Sequence, residues 1–297
     1  MLKHLLKKKA KNSPIFRKTV KRSGSVSGIG IHSGDQCTLV FHPAEPGSGI
    51  LFYRKQLDSD KSYLLSHVRN VIDTSLAVTL GNAGFHVQTV EHLLFAIYVC
   101  GISDLIIEVQ GGSEIPILDG SAADFVECFK SLETHEHSIE WEPVYIRQPV
   151  SVTDGNRYLV AKPSSSLKIS YHIDYDHPML QDQFIELDYS ASLFEEKVAR
   201  ARTFGFLKDA IELKKRGQGQ GGSTENVLIY TEDGSLNEPL FQEESLYHKI
   251  LDLIGDLALI GRPIVGHILG SRGGHALDVA FAKKILAHEH SVFSKAS

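Results

Sequence analysis

Near residue 250, one histidine and two aspartates are spaced four residues apart. On an α-helix, His248, Asp252 and Asp256 therefore lie nearly in line. Apolar residues on the other sides of this helix predict that it is largely surrounded by protein: Leu246, Ile250, Leu251, Leu253, Leu257 and Leu259. Buried carboxylates are costly unless they are paired or bind a metal, and imidazole and carboxylate are both good zinc ligands. The stripe indicates either a metal site or solvated i,i+4 ion pairs, and a third ligand elsewhere would favour the metal.

A second helix, predicted to be capped by Thr89 and to run to about Cys100, offers such a ligand. Its apolar face has the i, i+3, i+4, i+7 spacing, formed by Val90, Leu93, Leu94 and Ile97. Glu91 and His92 lie in its first turn, about 100° apart around the helix axis. Taken alone, this pair also has a structural explanation, because an acidic residue near a helix N-terminus interacts favourably with the helix dipole.

The composition is that of an ordinary globular protein and disfavours several functions. The length of 297 residues suggests about two domains. The composition, 42% hydrophobic and 23% charged residues, is sufficient to form hydrophobic cores. The net charge of -5 and pI near 6.3 give no reason to expect nucleic-acid binding. Cys37, Cys100 and Cys128 form no CxxC pair, so neither a disulfide framework nor a thiolate zinc site is indicated. The sequence has neither an apolar run of membrane-spanning length nor a secretory signal, so we expect no integral membrane segment and a cytoplasmic protein.

The order of the predicted elements divides the chain into two halves, each with strands followed by helices. We predict a basic disordered extension at 1–15, an N-terminal α+β domain at 16–134, a polar linker at 135–142 and a C-terminal α+β domain at 143–297. Strands that precede helices, rather than alternate with them, favour an α+β fold. The two halves show no direct sequence repeat.

Residue patterns within the halves place the individual elements. Short β-rich runs bounded by Gly, Pro and Asp predict strands at 20–22, 37–41, 50–53, 76–80, 104–110, 144–150, 158–161, 167–173, 184–187, 227–230 and 264–269. Helices are predicted at 121–132 and 207–215, with a helix or turn near 191–200 and a last helix that opens at Gly273-Gly274-His275.

Some conspicuous segments are predicted to carry no site. Gly28 to Gly34 could be mistaken for a phosphate-binding loop, but no Lys-Ser/Thr follows and no helix opens there, which favours a turn between strands. The triplets His135-Glu136-His137 and His288-Glu289-His290 are predicted to be solvated surface. The lysine-rich start is predicted to be solvated, with weak attraction to an anionic membrane as the less favoured alternative.

Several short motifs converge on one family. They occur in the order Thr89–Leu93, Asp119–Ala122, Arg202–Phe206, His248–Asp256 and Gly274–Leu277. Each is weak alone, but together they closely resemble the UDP-3-O-acyl-N-acetylglucosamine deacetylases, zinc amidases that commit a UDP-sugar to lipid A synthesis. The resemblance extends from about Phe16 to the C-terminal helix.

The resemblance implies two similar α+β domains, each with a mixed sheet layered with helices. The helical layers pack together, the active site lies between the domains, and an insert in the second domain forms an apolar passage for an acyl chain. The implied cofactor is Zn²⁺, held by His92 from the first half and by His248 and Asp252 from the second. We expect a monomer that acts on a small molecule, UDP-3-O-acyl-N-acetylglucosamine.

The same set of residues would support amide hydrolysis. Two histidines and one aspartate leave a fourth zinc position for water, as in catalytic rather than structural sites. Glu91, next to His92, is predicted to be the general base. His275, paired with Asp256, is predicted to be the cation that stabilises the oxyanion and protonates the leaving amine. Thr203 is predicted to donate a hydrogen bond to the same oxyanion.

Substrate contacts are expected from Lys249, Phe204 and Asp209, which match family positions; a surface role is the alternative for Lys249. Gln218 and Gln220 depart from the family, which commonly has apolar residues there, so the lining of the acyl passage and the acyl-chain length stay open.

Two other functions stay open. One is a zinc amidase that acts on a different N-acylated amine. The other is a non-catalytic metal- or acyl-binding protein, which would need neither Glu91 nor His275. Iron(II) could occupy the same ligands as zinc.

Overall fold

The structure is a computed structural model that describes residues 14–55 and 63–294, without the side chains of 290–294. Most of the extension predicted at residues 1–15 therefore lies outside the described residues. Of its last two residues, Ile15 already takes part in the fold, because its carbonyl accepts a hydrogen bond from the Trp141 amide at 2.7 Å.

The strands of the first half are β1 (Phe16–Val20), β2 (Gly24–Ile29), β3 (Gln36–His42), β4 (Ile50–Tyr53), β5 (Tyr63–Leu65), β6 (Val71–Asp73), β7 (Thr79–Gly81), β8 (His86–Gln88), β9 (Leu105–Gly111) and β10 (Thr134–Glu140). Those of the second half are β11 (Val144–Tyr145), β12 (Val150–Asp154), β13 (Arg157–Lys162), β14 (Lys168–Ile173), β15 (Gln183–Asp188), β16 (Phe204–Phe206), β17 (Leu228–Tyr230), β18 (Ile264–Val265) and β19 (His267–Ser271). The helices are α1 (Glu91–Val99), α2 (Ala123–Leu132), α3 (Ala191–Glu196), α4 (Leu207–Lys215), α5 (Glu244–Ala258) and α6 (His275–Ser294).

The two halves have the same sheet topology. The five-stranded sheet of the first half has the order β2-β3-β9-β4-β5, and that of the second half has the order β12-β13-β19-β14-β15. In each sheet the third and fourth strands are parallel and the other neighbours are antiparallel. The predicted α+β architecture with two similar halves is therefore confirmed, although the two halves show no sequence repeat. The exact domain boundaries stay a prediction.

Helices α1 and α5 cross in close contact and so bring the two halves together. Both are buried on almost every side, including all of α5 from Glu244 to Leu257. Gly255 lies at the crossing, where an added Cβ would overlap the Glu91 carbonyl oxygen. Only glycine lets the two backbones approach this closely.

The segment predicted as a linker is a strand instead. β10 (Thr134–Glu140) pairs antiparallel with β1, with Val20 opposite Thr134. Most of its side chains are exposed, so it has no apolar face from which a strand could be predicted. The predicted strand at 20–22 was also misplaced, because the alternation of Phe16–Val20 is obscured by charged residues.

Helix α1 begins differently from the prediction. Its N-cap is Val90, which makes no side-chain capping bond. Thr89, the predicted cap, has φ = 60° and donates its hydroxyl to Glu114 Oε1 at 3.0 Å. Among the described residues, no helix is both long enough and apolar enough to cross a lipid bilayer.

Candidate active site

The three predicted metal ligands converge at the crossing of α1 and α5. His92 lies in the first turn of α1, and His248 and Asp252 lie one turn apart on α5. One ligand atom from each residue lies within 4.8 Å of the other two, and all three residues are buried. The halves of the chain thus contribute to a single donor set of the type that zinc binds in catalytic sites.

The hydrogen bonding of His248 fits a metal ligand. Its Nδ1 donates to the Ala201 carbonyl at 2.9 Å, which fixes the tautomer and leaves the lone pair on Nε2. That Nε2 lies 3.3 Å from Asp252 Oδ1. Burial lowers the pKa of His248 and lowers that of His92 to about 3, with the neighbouring His248 adding to the effect at His92. Both rings are therefore neutral at pH 7, as ligation requires.

Asp252 is ionised despite its burial. Burial alone would raise its pKa, but the surrounding His248 and Lys249 outweigh that effect and hold the pKa well below the usual range. Lys249 Nζ donates to Asp252 Oδ2 at 2.7 Å. Oδ1 stays directed at the two imidazoles, so the carboxylate has one oxygen for lysine and one for a metal.

A second polar cluster adjoins the first and consists of Glu91, Asp256 and His275. His275 Nδ1 and Asp256 Oδ2 are 2.8 Å apart, and His275 Nε2 is 3.8 Å from Glu91 Oε1. Burial opposes the charge on His275, yet Asp256 and Glu91 raise its pKa to about 10. Burial also raises the pKa of Asp256, but the hydrogen bond from His275 opposes this, so we assign the pair as imidazolium and carboxylate.

Glu91 is placed as a proton acceptor with an unusually high basicity. Its pKa is raised to about 7, mainly by burial and in addition by Asp256 and Asp252, while His275 acts in the opposite direction. Its Oε2 accepts the Val78 amide at 3.1 Å, which fixes the side chain. A carboxylate with a pKa near neutrality, held beside a cationic imidazole, can exchange a proton at physiological pH.

A cavity of about 620 Å³ opens onto both clusters. It is lined by all the predicted site residues except Asp256, which lies behind His275: Glu91, His92, Thr203, Phe204, Asp209, His248, Lys249, Asp252 and His275. Phe204 is in edge contact with the His248 ring, with centroids 6.1 Å apart. Asp209 lies in the first turn of α4, which forms part of the cavity wall with β16. The predicted helix at 207–215 is confirmed.

One wall of the cavity joins the two halves through glycine-rich loops. The amides of Gln220 and Gly221 donate to the carbonyls of His32 and Ile31 at 3.1 and 3.0 Å. Glu114, buried in the first half, accepts the His32 amide and so fixes this turn. The turn predicted at 28–34 is therefore present after β2 ends at Ile29, and it contributes to the cavity wall.

The sequence did not reveal several buried groups around the site. Asp278 is fully buried, neither of its carboxylate oxygens has a hydrogen-bond partner, and burial raises its pKa to about 7. Tyr171 is equally buried, and its hydroxyl and Asp278 Oδ1 both border Gly273. In the sequence, Asp278 could have been found only from its position three residues after His275, about one helical turn away. Glu244 could have been found in the same way, because it lies one turn before His248.

The other histidine-rich triplets are not among the metal-binding clusters that the described residues form. His135 and Glu136 are exposed on β10, as predicted for solvated surface, whereas His137 is half-buried. Glu289 differs from the prediction, because it is only partly exposed and pairs with Arg262. The side chain of His290 lies outside the described residues.

Comparison with known proteins identifies the same family that the sequence motifs resemble. The family model described as LpxC, UDP-3-O-acyl N-acetylglycosamine deacetylase, matches residues 17–287. A protein of Leptospira biflexa named UDP-3-O-acyl-N-acetylglucosamine deacetylase is 43% identical over 275 residues, which cover 92% of this chain and 90% of the relative. Proteins of the same name from Myxococcus xanthus and Thermodesulfovibrio yellowstonii are 41% and 40% identical over 273 residues, covering 91% of this chain and 86% and 92% of the relatives.

Substitution Asp256→Asn tests the charge assignment of the second cluster. Because Asp256 raises the pKa of His275 to about 10, the wild-type ring stays protonated across pH 5–8, and the variant ring titrates at lower pH. The measurement is an NMR titration of the imidazoles in chelator-treated protein. His92 serves as the internal control because its ring stays neutral in both proteins. Titration of wild-type His275 near pH 6.5 would contradict the assignment.

Proposed function

The chain belongs to the UDP-3-O-acyl N-acetylglycosamine deacetylase family, and from that premise we propose how its residues act. The enzyme is an amide hydrolase that removes the N-acetyl group of UDP-3-O-acyl-N-acetylglucosamine, a step of lipid A synthesis. Water attacks the amide carbonyl, the C–N bond breaks, and acetate and the sugar amine are released. We assign the metal site to His92, His248 and Asp252 and the proton transfers to Glu91 and His275.

The observation that carries this proposal is the convergence of three donor atoms from both halves of the chain. Two buried neutral imidazoles and an ionised carboxylate lie within 4.8 Å of one another. A divalent cation would bind the free oxygen of the buried carboxylate and the Nε2 atoms of the two imidazoles that face it. The nitrogen-rich donor set suits zinc, and iron(II) is the alternative.

A metal ion held by His92, His248 and Asp252 would supply a Lewis acid, which would polarise the amide carbonyl and make the attacking water more acidic. Glu91 accepts the proton of the attacking water at its carboxylate, since its raised pKa makes it a base matched to neutral pH. The backbone amide of Val78 holds the carboxylate toward the cavity.

His275 acts across the cluster from Glu91. As an imidazolium fixed through Nδ1 by Asp256, it directs Nε2–H toward the reacting carbonyl and stabilises the developing oxyanion. The same proton then passes to the nitrogen of the leaving amine, which must be protonated to leave. Thr203, on the cavity wall, is the second oxyanion donor.

The wider cavity supports an amphiphilic substrate. Its wall includes apolar residues of the second half that could accommodate an acyl chain: Phe206, Leu207, Ala210, Ile211, Leu213 and Val227. Lys249, Phe204 and Asp209 are the proposed contacts to the sugar nucleotide. Lys249 is already bonded to Asp252, so its ammonium would be shared between that carboxylate and the substrate.

A zinc amidase with a different N-acylated substrate is the rival function. Acetate release from UDP-3-O-acyl-N-acetylglucosamine, compared with release from N-acetylglucosamine, separates the two. The proposal predicts a large preference for the acylated nucleotide sugar. Equal turnover of both compounds would favour the rival.

The adjacent residues Glu91 and His92 provide a matched test of the assigned roles. Glu91→Ala should retain the metal and lower kcat by at least ~10², as expected for loss of a general base. His92→Ala should lose both metal and activity, because a ligand is removed. Metal content and acetate release are measured on the same preparations. Loss of zinc in Glu91→Ala, or full zinc content in His92→Ala, would contradict the assignment.

The dependence of kcat/KM on pH should be bell-shaped. Activity rises as Glu91 loses its proton, with a midpoint at or below about pH 7, because a bound cation would lower the pKa of Glu91. Activity falls as His275 loses its proton near pH 10. His275→Ala should remove the descending limb and lower the plateau. A wild-type profile that does not fall up to pH 11 would exclude His275 as the acid.

A further inference from the structure

Glu244 extends the polar stripe of α5 by one turn. It is the first residue of the helix and stands four positions before His248, so it continues the series His248, Asp252, Asp256 toward the helix N-terminus. Its side chain is fully buried. A carboxylate buried in line with two metal ligands requires an explanation beyond a contribution to the helix dipole.

The carboxylate of Glu244 accepts four hydrogen bonds, three of them from Arg202. Oε1 accepts the Arg202 backbone amide at 3.0 Å and Arg202 Nε at 2.8 Å. Oε2 accepts Arg202 Nη2 at 3.1 Å and the Leu240 amide at 2.7 Å. Glu244 therefore fixes both the side chain and the backbone of Arg202.

The backbone bond connects Glu244 to His248 through a single peptide unit. The Arg202 amide and the Ala201 carbonyl belong to the same peptide, whose N–H and C=O point in opposite directions in a trans plane. The N–H donates to Glu244, and the C=O accepts from His248 Nδ1 at 2.9 Å. An anionic acceptor on the N–H polarises the peptide and makes its carbonyl a stronger acceptor.

We propose that Glu244 is a positioning residue that acts on His248 through the Ala201–Arg202 peptide. It orients the carbonyl that selects the Nδ1–H tautomer and increases the donor strength of Nε2 toward the metal. The arrangement is the counterpart of a carboxylate bonded directly to a ligand histidine, with one peptide inserted between the two. The inference rests on the proposed metal site.

A purely structural role for the Glu244–Arg202 pair predicts different behaviour. Removal of the charge would then destabilise the fold without a specific effect on metal binding. Asp104 offers a matched control, because it is also a fully buried carboxylate that pairs with an arginine, Arg17, and accepts two backbone amides, from Gly47 and Gly49. It lies in the first half and has no bond to a metal ligand.

The experiment compares Glu244→Gln, Asp104→Asn and His248→Ala with the wild-type chain. The Kd for Zn²⁺ is measured by competition with a chromophoric chelator, at a temperature where circular dichroism shows each protein folded. The free energy of unfolding of the metal-free proteins is measured separately with urea. We expect Glu244→Gln to weaken zinc binding about 10-fold or more, as loss of such outer partners does, and Asp104→Asn to leave the Kd within about twofold.

An unchanged Kd for Glu244→Gln, or an equal weakening in Asp104→Asn, would overturn the positioning role. If Glu244→Gln does not fold, Glu244→Asp is compared with Asp104→Glu; both keep the charge and displace it by one methylene, and only the first should weaken zinc binding. Failure of the metal site itself would be recognised separately, because wild-type and His248→Ala would then bind zinc equally.

Discussion

The close crossing of α1 and α5 is the constraint on which the site depends. Each helix carries only part of the donor set. Their backbones must approach closely for His92 Nε2 to lie 3.8 Å from Asp252 Oδ1. Gly255 provides that approach directly beside Glu91. Both helices are buried on almost every side, so the packing that buries them also fixes the distance between ligands contributed by separate halves.

Burial at this crossing would be unfavourable for isolated charges. The buried carboxylates of α5 are therefore paired with cationic side chains. Asp252 is bonded to Lys249, and Asp256 is bonded to His275. Removal of one member of a buried pair would leave an uncompensated charge, so each pair depends on both partners. Along the stripe of α5 each carboxylate has a cationic partner, and Glu244 has Arg202 in the same manner. The chemistry follows from the differences among these environments, which keep His92 and His248 neutral and His275 charged.

The parts of this arrangement that are local in sequence could be predicted. Helix α4 has the predicted bounds because amphipathic spacing determines it, and the stripe of α5 follows from helical periodicity alone. The polar strand β10 could not be predicted, because it is defined by its pairing with β1 rather than by an apolar face. The connection from Glu244 to His248 passes through Ala201, 47 positions before His248 in the chain, and no spacing rule relates them. The hydrogen bond from the Gly221 amide to the Ile31 carbonyl also joins segments far apart in the chain, so it could not be predicted from local sequence.

The most direct test of the account is the location of a metal by anomalous diffraction at the zinc edge, in crystals of the chain purified with zinc. One strong peak is expected between α1 and α5, within about 2.0–2.2 Å of a nitrogen of His92, a nitrogen of His248 and an oxygen of Asp252. A peak elsewhere, or a peak bonded to Glu91 and His275 in place of these three, would contradict it.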